Sequence, residues 1–500
     1  MMRIHFKNVG APIILQVASF MYRRIRLSSL WIILTFLLSI LFISSLWDST
    51  ISPLHNNSNV LWLWKEADFS SLNSLWSQPI LSQHLINKTF VLNKSLGISN
   101  TPSHLQSITS ISNLRQYISS LNSDQFVQNE DIYGHLPTKD NFNHIKSAPE
   151  HVILIQVHNR TLELTLLIES LRRVKGIEKA LVIFSHDFYS DEMNNLIASI
   201  RFTRTVQIFY PHSTQIFPNS FPGTDPRDCE SRLSPDKAKI IGCLNADWPD
   251  TYKHYRESRF TQIKNHWLWK IQFILEHFYP TKYYNGYFIL LEEDHFVLED
   301  ILHVTSLIST KFQNPVNTDE IIALGSYDKD QTYTSGKAEI TYWLAPKHNM
   351  GIAISRSVWE KIKSCEKIFC TYDDYNWDWT LQYVGQHCFP NKLKVLTLPG
   401  STRVFHLGEC RGLHHENKVC SSELLATNIL QKFSGSLLTK LYPTSLYLTR
   451  SVSRVIPTQR ANGGWSDLRD RNLCYSLLSA KWNDFLKQWA PTLTNYSPIY

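Results

Sequence analysis

The 500-residue chain reads as an α/β domain on a mainly parallel sheet, carried behind a single transmembrane helix and a stem. Three features of the sequence lead there. Leu27 to Trp47 carries no charge, apolar strand-like runs alternate with helical patterns from His151 onward, and Leu290-Leu291 leads directly into Glu292-Glu293-Asp294-His295.

At 1.5 Å per residue, a helix over 27–47 crosses a hydrocarbon layer of roughly 30 Å. Arg3, Lys7, Arg23, Arg24 and Arg26 precede it and no acidic residue occurs before Asp48, so residues 1–26 stay cytoplasmic and the remainder is lumenal. A cleaved signal peptide is the rival reading, but its apolar core is normally shorter, and Ser44-Ser45-Leu46-Trp47 is a poor small-residue cleavage site. Residues 48–148 are rich in Ser, Asn and Leu and hold no sustained period of two or 3.6, which predicts a stem. Folding of this stretch onto the domain is the alternative.

The net charge of +7 comes largely from the amino terminus. Removing its five basic residues from the 50 in the chain leaves 45 against 43 acidic ones, and no nucleic-acid signature remains. All eight cysteines, 229, 243, 365, 370, 388, 410, 420 and 474, fall on the lumenal side, where disulfides form. Their spacing does not suit zinc, and eight cysteines allow 105 pairings. Five Asn-x-Ser/Thr acceptor patterns begin at Asn56, Asn87, Asn93, Asn159 and Asn495.

The globular part is expected over 149–490. Val152 to Val157 is a continuous apolar strand, and a helical pattern through Leu162, Leu166, Leu167 and Leu171 follows it. Strands over 180–184 and 206–209, helices over 193–200 and 267–277, and a strand over 287–291 continue the rhythm. Ligands sit beyond the carboxyl ends of strands in such sheets, so His158-Asn159-Arg160, Ser185-His186-Asp187 and Glu292 to His295 should meet. No Gly-x-Gly-x-x-Gly or phosphate loop is present. Pro218 to Pro249 is too irregular for either element, and Cys229 and Cys243 could staple it as a loop.

Three adjacent carboxylates at a strand end repel one another unless a cation joins them, and hard oxygen donors favour Mg²⁺ or Mn²⁺. A solvated acidic turn is the plain alternative. In Tyr375-Asn376-Trp377-Asp378-Trp379 two indoles flank a carboxylate, which would raise its pKa toward that of a general base and offer stacking faces to sugars. Asp373 and Asp374 are rivals, unless they only complement a helix dipole.

Taken in order, Gln156-Val157-His158-Asn159-Arg160, Phe184-Ser185-His186-Asp187, Phe221 to Cys229, Glu292 to His295, His348-Asn349-Met350-Gly351, Cys370 to Trp379 and Asn462-Gly463-Gly464-Trp465 resemble the Golgi β-1,2-N-acetylglucosaminyltransferases over about 150–475. The likeness is greatest to the branch that acts on the α-1,6 arm of N-glycans. This resemblance implies a GT-A (Rossmann-like) fold, the donor UDP-GlcNAc, Mn²⁺, inversion, and a single-pass type II protein of the Golgi membrane with a lumenal catalytic domain. The acceptor implied is the α-1,6-arm mannose of an N-glycan already bearing GlcNAc on its other arm.

It also implies roles for individual residues. Asp294 binds the metal with His406 as second ligand, although His295, His414 and His415 stay open as alternatives. Gln156, Val157, His158, Asn159, Arg160 and Asp187 hold uridine, Gln262, Ile263, Lys264, Asn265 and His266 line the donor site, and Asp378 is the catalytic base. The family pairing joins Cys229 to Cys243, Cys365 to Cys388, Cys370 to Cys474 and Cys410 to Cys420. One departure stands out: between Gly325 and Trp343 there is Lys329 but no arginine, so Lys329 would face the donor phosphates as a point charge. The rival functions are another mannose acceptor and an inactive glycan-binding relative.

Overall fold

The computed structural model describes residues 110–139, 148–312, 320–328, 331–333, 336–408, 421–451 and 460–479. The expected transmembrane helix, most of the expected stem, Lys329 and the Cys410–Cys420 pair lie outside the described residues. Among the described residues no helix is long and apolar enough to cross a membrane.

The strands are β1 (His151–Val157), β2 (Ala180–His186), β3 (Arg204–Phe209), β4 (Phe288–Glu292), β5 (His295–Val297), β6 (Glu320–Ala323), β7 (Lys337–Tyr342), β8 (Ile352–Ile354), β9 (Lys394–Thr397), β10 (Val404–His406) and β11 (Tyr447–Arg450). The described helices of eight residues or more are α1 (Ile111–Asp124), α2 (Thr161–Arg172), α3 (Asp191–Ala198), α4 (Ser258–Gln272), α5 (Ile301–Phe312), α6 (Arg356–Ser364), α7 (Trp377–His387), α8 (Ser422–Phe433) and α9 (Leu468–Ser479). Nine strands form one sheet in the order β11-β7-β9-β6-β8-β4-β1-β2-β3, and β5 pairs with β10 in a separate antiparallel ribbon.

The half of the sheet from β4 to β3 is wholly parallel, as the alternating runs predict. The other half is mixed, because β8 runs antiparallel to both β4 and β6, and β7 antiparallel to β9. Short strands joined by irregular segments leave no periodic signal from which their direction could be read.

Period two along each strand divides the core into two layers. Val152 and Leu154 of β1 and Phe288 and Leu290 of β4 pack with Trp267 and Trp269 of α4, Trp359 of α6, Leu381 of α7 and Leu477 of α9. Ile153, Ile155 and Val157, with Ile289 and Leu291, pack on the opposite side with Leu164 and Leu167 of α2, Met193 of α3 and Val304 of α5. Strands buried on both faces explain why these segments read as unbroken apolar runs. Truncating Leu154 to alanine would cost about 2–5 kcal/mol.

Residues 110–139 do not behave as a spacer. Ser110 caps α1 by accepting the Asn113 amide proton, and Leu114 and Ile118 bury against Phe209 and Ile216. Asn122 completes the join, donating through Nδ2 to the Phe209 carbonyl at 2.7 Å and accepting the Phe209 N–H at 2.8 Å. Helix α1 therefore packs on the folded domain, the alternative the sequence leaves open for residues 48–148. An amphipathic helix that docks on an edge strand is easily missed among Ser- and Asn-rich neighbours.

Disulfides join Cys229 to Cys243, Cys365 to Cys388 and Cys370 to Cys474. The last ties α9 back to the segment that precedes α7.

Candidate active site

The carboxyl ends of β1, β2 and β4 open on a cleft of about 750 Å³. Gln156, His158, Asn159, Arg160, Asp187, Gln262, Ile263 and Asp294 line it, as the sequence leads one to expect.

Parallel register puts Gln156 of β1 beside both Ser185 of β2 and Glu292 of β4, so the loops after these strands converge. Glu293 pins them together. Its amide donates to the Gln156 carbonyl at 2.9 Å, and its Oε2 accepts the His158 N–H at 2.8 Å and the Arg160 N–H at 3.3 Å. Burial pushes the Glu293 carboxyl up to about 7. This residue braces the loop from within.

Asp187 organises the second wall. Its Oδ1 meets His158 Nδ1 at 2.6 Å, while Oδ2 accepts Gln262 Nε2 at 2.9 Å and lies 3.5 Å from His266 Nδ1. Burial alone would raise its pKa, but the hydrogen bonds and charges of His158 and His266 hold it well below the carboxylate range. Ser185 Oγ stands 2.8 Å from His266 Nε2, and Gln262 Oε1 accepts the Thr214 N–H at 2.5 Å. The result is a rigid polar frame at the end of β2.

Three neighbouring carboxylates have acquired three different characters. Glu292 is pushed up by burial and by Asp294, and Glu293 is displaced toward neutrality. Asp294 is held well below its ordinary value: burial opposes this, but His406 and Arg160 outweigh it. Arg160 Nη1 donates to Asp294 Oδ2, and His406 Nε2 lies 3.3 Å from the same oxygen. The other oxygen, Oδ1, is buried without a partner among the described residues.

The β5–β10 ribbon supplies the imidazoles, with His406 directly opposite His295. His295 Nδ1 accepts the Glu292 N–H at 3.1 Å, and burial drives its pKa down to about 3, so the ring is neutral. Ligand atoms of Glu292, Asp294 and His295 lie within 4.8 Å of one another. His295 thus spends its Nδ1 lone pair on the Glu292 N–H and carries its proton on Nε2, which leaves the ionised Asp294 carboxylate and the His406 imidazole beside it as the donor set suited to a divalent transition metal. Gly408 closes this corner so tightly that a Cβ there would lie 2.1 Å from Asp294 Oδ2.

Several expected donor residues stand elsewhere. Val157 is wholly buried, and only its carbonyl serves the site, accepting the Asp187 N–H at 3.1 Å. Lys264, Asn265 and His266 are buried on α4 and do not line the cleft. His266 acts behind it through Asp187, whereas Lys264 donates to the Asp374 carbonyl at 2.8 Å. A run of five helical residues spans more than a full turn, so it cannot present all its side chains to one side.

Asp378 lies in the first turn of α7 and accepts from Asn349 Nδ2 at 2.8 Å and from the Trp379 N–H at 2.9 Å. Burial pushes its carboxyl up to about 6. Trp377 is not a sugar platform: its ring is buried and stacked on Trp267 at 4.6 Å. Asp373 and Asp374 are spoken for structurally. Asp373 accepts the Thr251 and Trp465 N–H groups, and Asp374 accepts from Asn376 and Asn462. A second, small cavity is lined by Asn349, Lys270, Glu292, His295 and Trp377, which places the amide partner of Asp378 beside the acidic cluster.

Thr214 and Arg259 also stand in the cleft wall, and neither sits in a pattern recognisable from sequence. Thr161, Leu162 and Glu163 also line it, and these follow from α2 starting where β1 ends. The amino terminus of α2 thus faces the cleft, an arrangement favourable to phosphate.

The profile of the N-acetylglucosaminyltransferase II family matches residues 115–474. The chain belongs to that family. Among similar N-acetylglucosaminyltransferase II relatives, the Sus scrofa protein named alpha-1,6-mannosyl-glycoprotein 2-beta-N-acetylglucosaminyltransferase is 40% identical over 365 residues, covering 72% of this chain and 78% of its own. The Arabidopsis thaliana protein of the same name is 31% identical over 333 residues, covering 65% of this chain and 73% of its own. Among solved structures, S. aureus TarS 1-349 aligns at a TM-score of 0.28 and 11% identity over 57% of this chain and 73% of its own. Membership makes the α/β domain a glycosyltransferase domain, and the start of the profile match inside α1 agrees with the docking of that helix on β3.

Proposed function

We propose that this protein transfers GlcNAc from UDP-GlcNAc, with inversion, in β-1,2 linkage to the α-1,6-arm mannose of an N-glycan whose other arm already bears GlcNAc. On this reading it is a GT-A, Mn²⁺-dependent, single-pass type II enzyme of the Golgi membrane. Asp294 carries the proposal: a strongly acidic carboxylate at a strand end, in a large cleft, with one buried oxygen left without a partner among the described residues.

Asp294 and His406 would hold the metal. When bound, Mn²⁺ supplies Lewis-acid neutralisation of the charge that develops on the UDP leaving group. Arg160 adds a positive charge on the same side, and the amino terminus of α2 favours the diphosphate. His158, Asp187 and Gln262 form a fixed frame for the uracil. Asp378 acts as base: an in-line displacement needs one carboxylate to take the acceptor hydroxyl proton, and a pKa of about 6 leaves it ionised yet basic at neutral pH. Asn349 orients it. With Asn159 in the donor cleft, its acceptor pattern should carry no glycan.

The deciding experiment incubates the purified protein with UDP-GlcNAc, Mn²⁺ and acceptors that differ only in arm occupancy. Transfer restricted to the free α-1,6 arm of the GlcNAc-bearing glycan is expected. Preference for another mannose would replace the acceptor assignment, and glycan binding without turnover would leave a binding protein.

A further inference from the structure

Lys264 belongs to the expected donor set, yet the fold turns it away from the cleft. Gln262 and Ile263 of α4 face the cleft, while the Lys264 side chain is fully buried. Its Nζ donates to the Asp374 carbonyl at 2.8 Å, with the Trp465 ring 4.0 Å away and the Phe369 ring 5.3 Å away. Thr380 Oγ1 shares that carbonyl at 3.3 Å.

Asp374 stands just ahead of α7. Its Oδ1 accepts the Asn376 N–H at 2.9 Å, fixing the residue from which α7 departs, and its Oδ2 accepts from the backbone and side chain of Asn462, each at 2.9 Å. The Asn462 to Trp465 segment closes the other side, with the Gly463 N–H donating to the Asp373 carbonyl at 2.9 Å and the Tyr375 N–H to the Gly463 carbonyl at 3.1 Å. Trp465 Nε1 donates to the Cys370 carbonyl at 3.0 Å.

A buried ammonium is a poor way to gain stability, since an apolar side chain of similar volume avoids the loss of hydration. What the ammonium does provide is a directional bond between two elements. We propose that Lys264 is a positioning residue for Asp378: clasped between the Trp465 and Phe369 rings, it ties the helix lining the donor cleft to the loop that launches α7. The tie fixes where the base carboxylate stands relative to the bound donor. This inference rests on the assignment of Asp378 as base.

The test compares Lys264→Met, Trp465→Phe and Asp378→Asn in the detergent-solubilised full chain, reading kcat, KM for UDP-GlcNAc and melting temperature. Lys264→Met should lower kcat by about tenfold to a hundredfold, the scale of a small misplacement of reacting groups, with KM for the donor and the melting temperature nearly unchanged. Trp465→Phe keeps a ring over the ammonium and should show a smaller loss in the same direction. It decides the matter alone if Lys264→Met does not fold. A kcat within about twofold of the parent in the informative variant, with Asp378→Asn inactive, would overturn the positioning role. So would a fall in melting temperature matched by equal losses of kcat and donor affinity. Normal turnover by Asp378→Asn would instead overturn the base assignment and remove the ground for this inference.

Discussion

His406 reaches Asp294 across the β5–β10 ribbon, its Nε2 3.3 Å from Oδ2, while the Oδ1 of the same carboxylate stays buried with no partner among the described residues. A carboxylate with a saturated side and an open side is prepared for a cation. In the parent protein, UDP with MnCl₂ should raise the melting temperature, by an amount equivalent to about 2.7 kcal/mol at a hundredfold excess over Kd. Asp294→Asn should abolish that shift while the protein stays folded. Gly408→Ala should weaken it, because the added methyl group would press on Oδ2. A full Mn²⁺-dependent shift in Asp294→Asn would remove this aspartate from the metal site.

Asp378 offers a test by pH. Since burial holds its pKa near 6 rather than the ordinary 3.8, kcat should fall tenfold per pH unit below about 6, and Asp378→Asn should lower kcat by about 10²–10⁴ with donor affinity preserved. Stability moves the opposite way. A raised carboxyl pKa means the folded state prefers the protonated form, so its contribution is full below 3.8 and is lost as pH rises through about 6. Asp378→Asn should therefore melt above the parent at pH 7.5, and the difference should shrink toward pH 4. Melting curves at the two pH values, with pH–rate profiles, check both signs.

Asp187→Ala removes the acceptor shared by His158, Gln262 and His266. Leaving buried polar groups unpaired costs about 1–3 kcal/mol, and the uracil frame should loosen with it. UDP affinity measured calorimetrically should fall at least tenfold, on the order of 1.4 kcal/mol. Affinity within twofold of the parent would place the nucleotide elsewhere in the cleft.

The amino-terminal edge is testable by truncation. A fragment starting at 149 loses the burial of Leu114 and Ile118 and both hydrogen bonds of Asn122. At about 1.5–3 kcal/mol per buried aliphatic side chain, it should be several kcal/mol less stable than one starting at 110. Denaturant unfolding of the two fragments measures this, and equal midpoints would return α1 to the stem.

Much of the site was legible because it lies at strand ends. The apolar runs of β1, β2 and β4 announce themselves through burial on both faces, and a parallel arrangement then obliges His158 to Arg160, Asp187 and Asp294 to converge. The resemblance carried by the ordered motifs gave three disulfides that no periodicity could have paired. It reached too far along α4, where it took Lys264, Asn265 and His266 into the cleft with Gln262 and Ile263.

Local chemistry thus determines which residues can act: carboxylates after an apolar strand, an acid between indoles. Tertiary structure decides what each becomes. Glu292, Glu293 and Asp294 are near equivalents as a string of letters, yet Asp294 meets His406 and the Arg160 guanidinium, Glu293 is taken up by the backbone of the β1–α2 loop, and Glu292 is left to burial and the charge of its neighbour. Ionisation depends on solvation and on charges a few ångströms away, and those neighbours arrive from β10 and from the end of β1, far off in the chain.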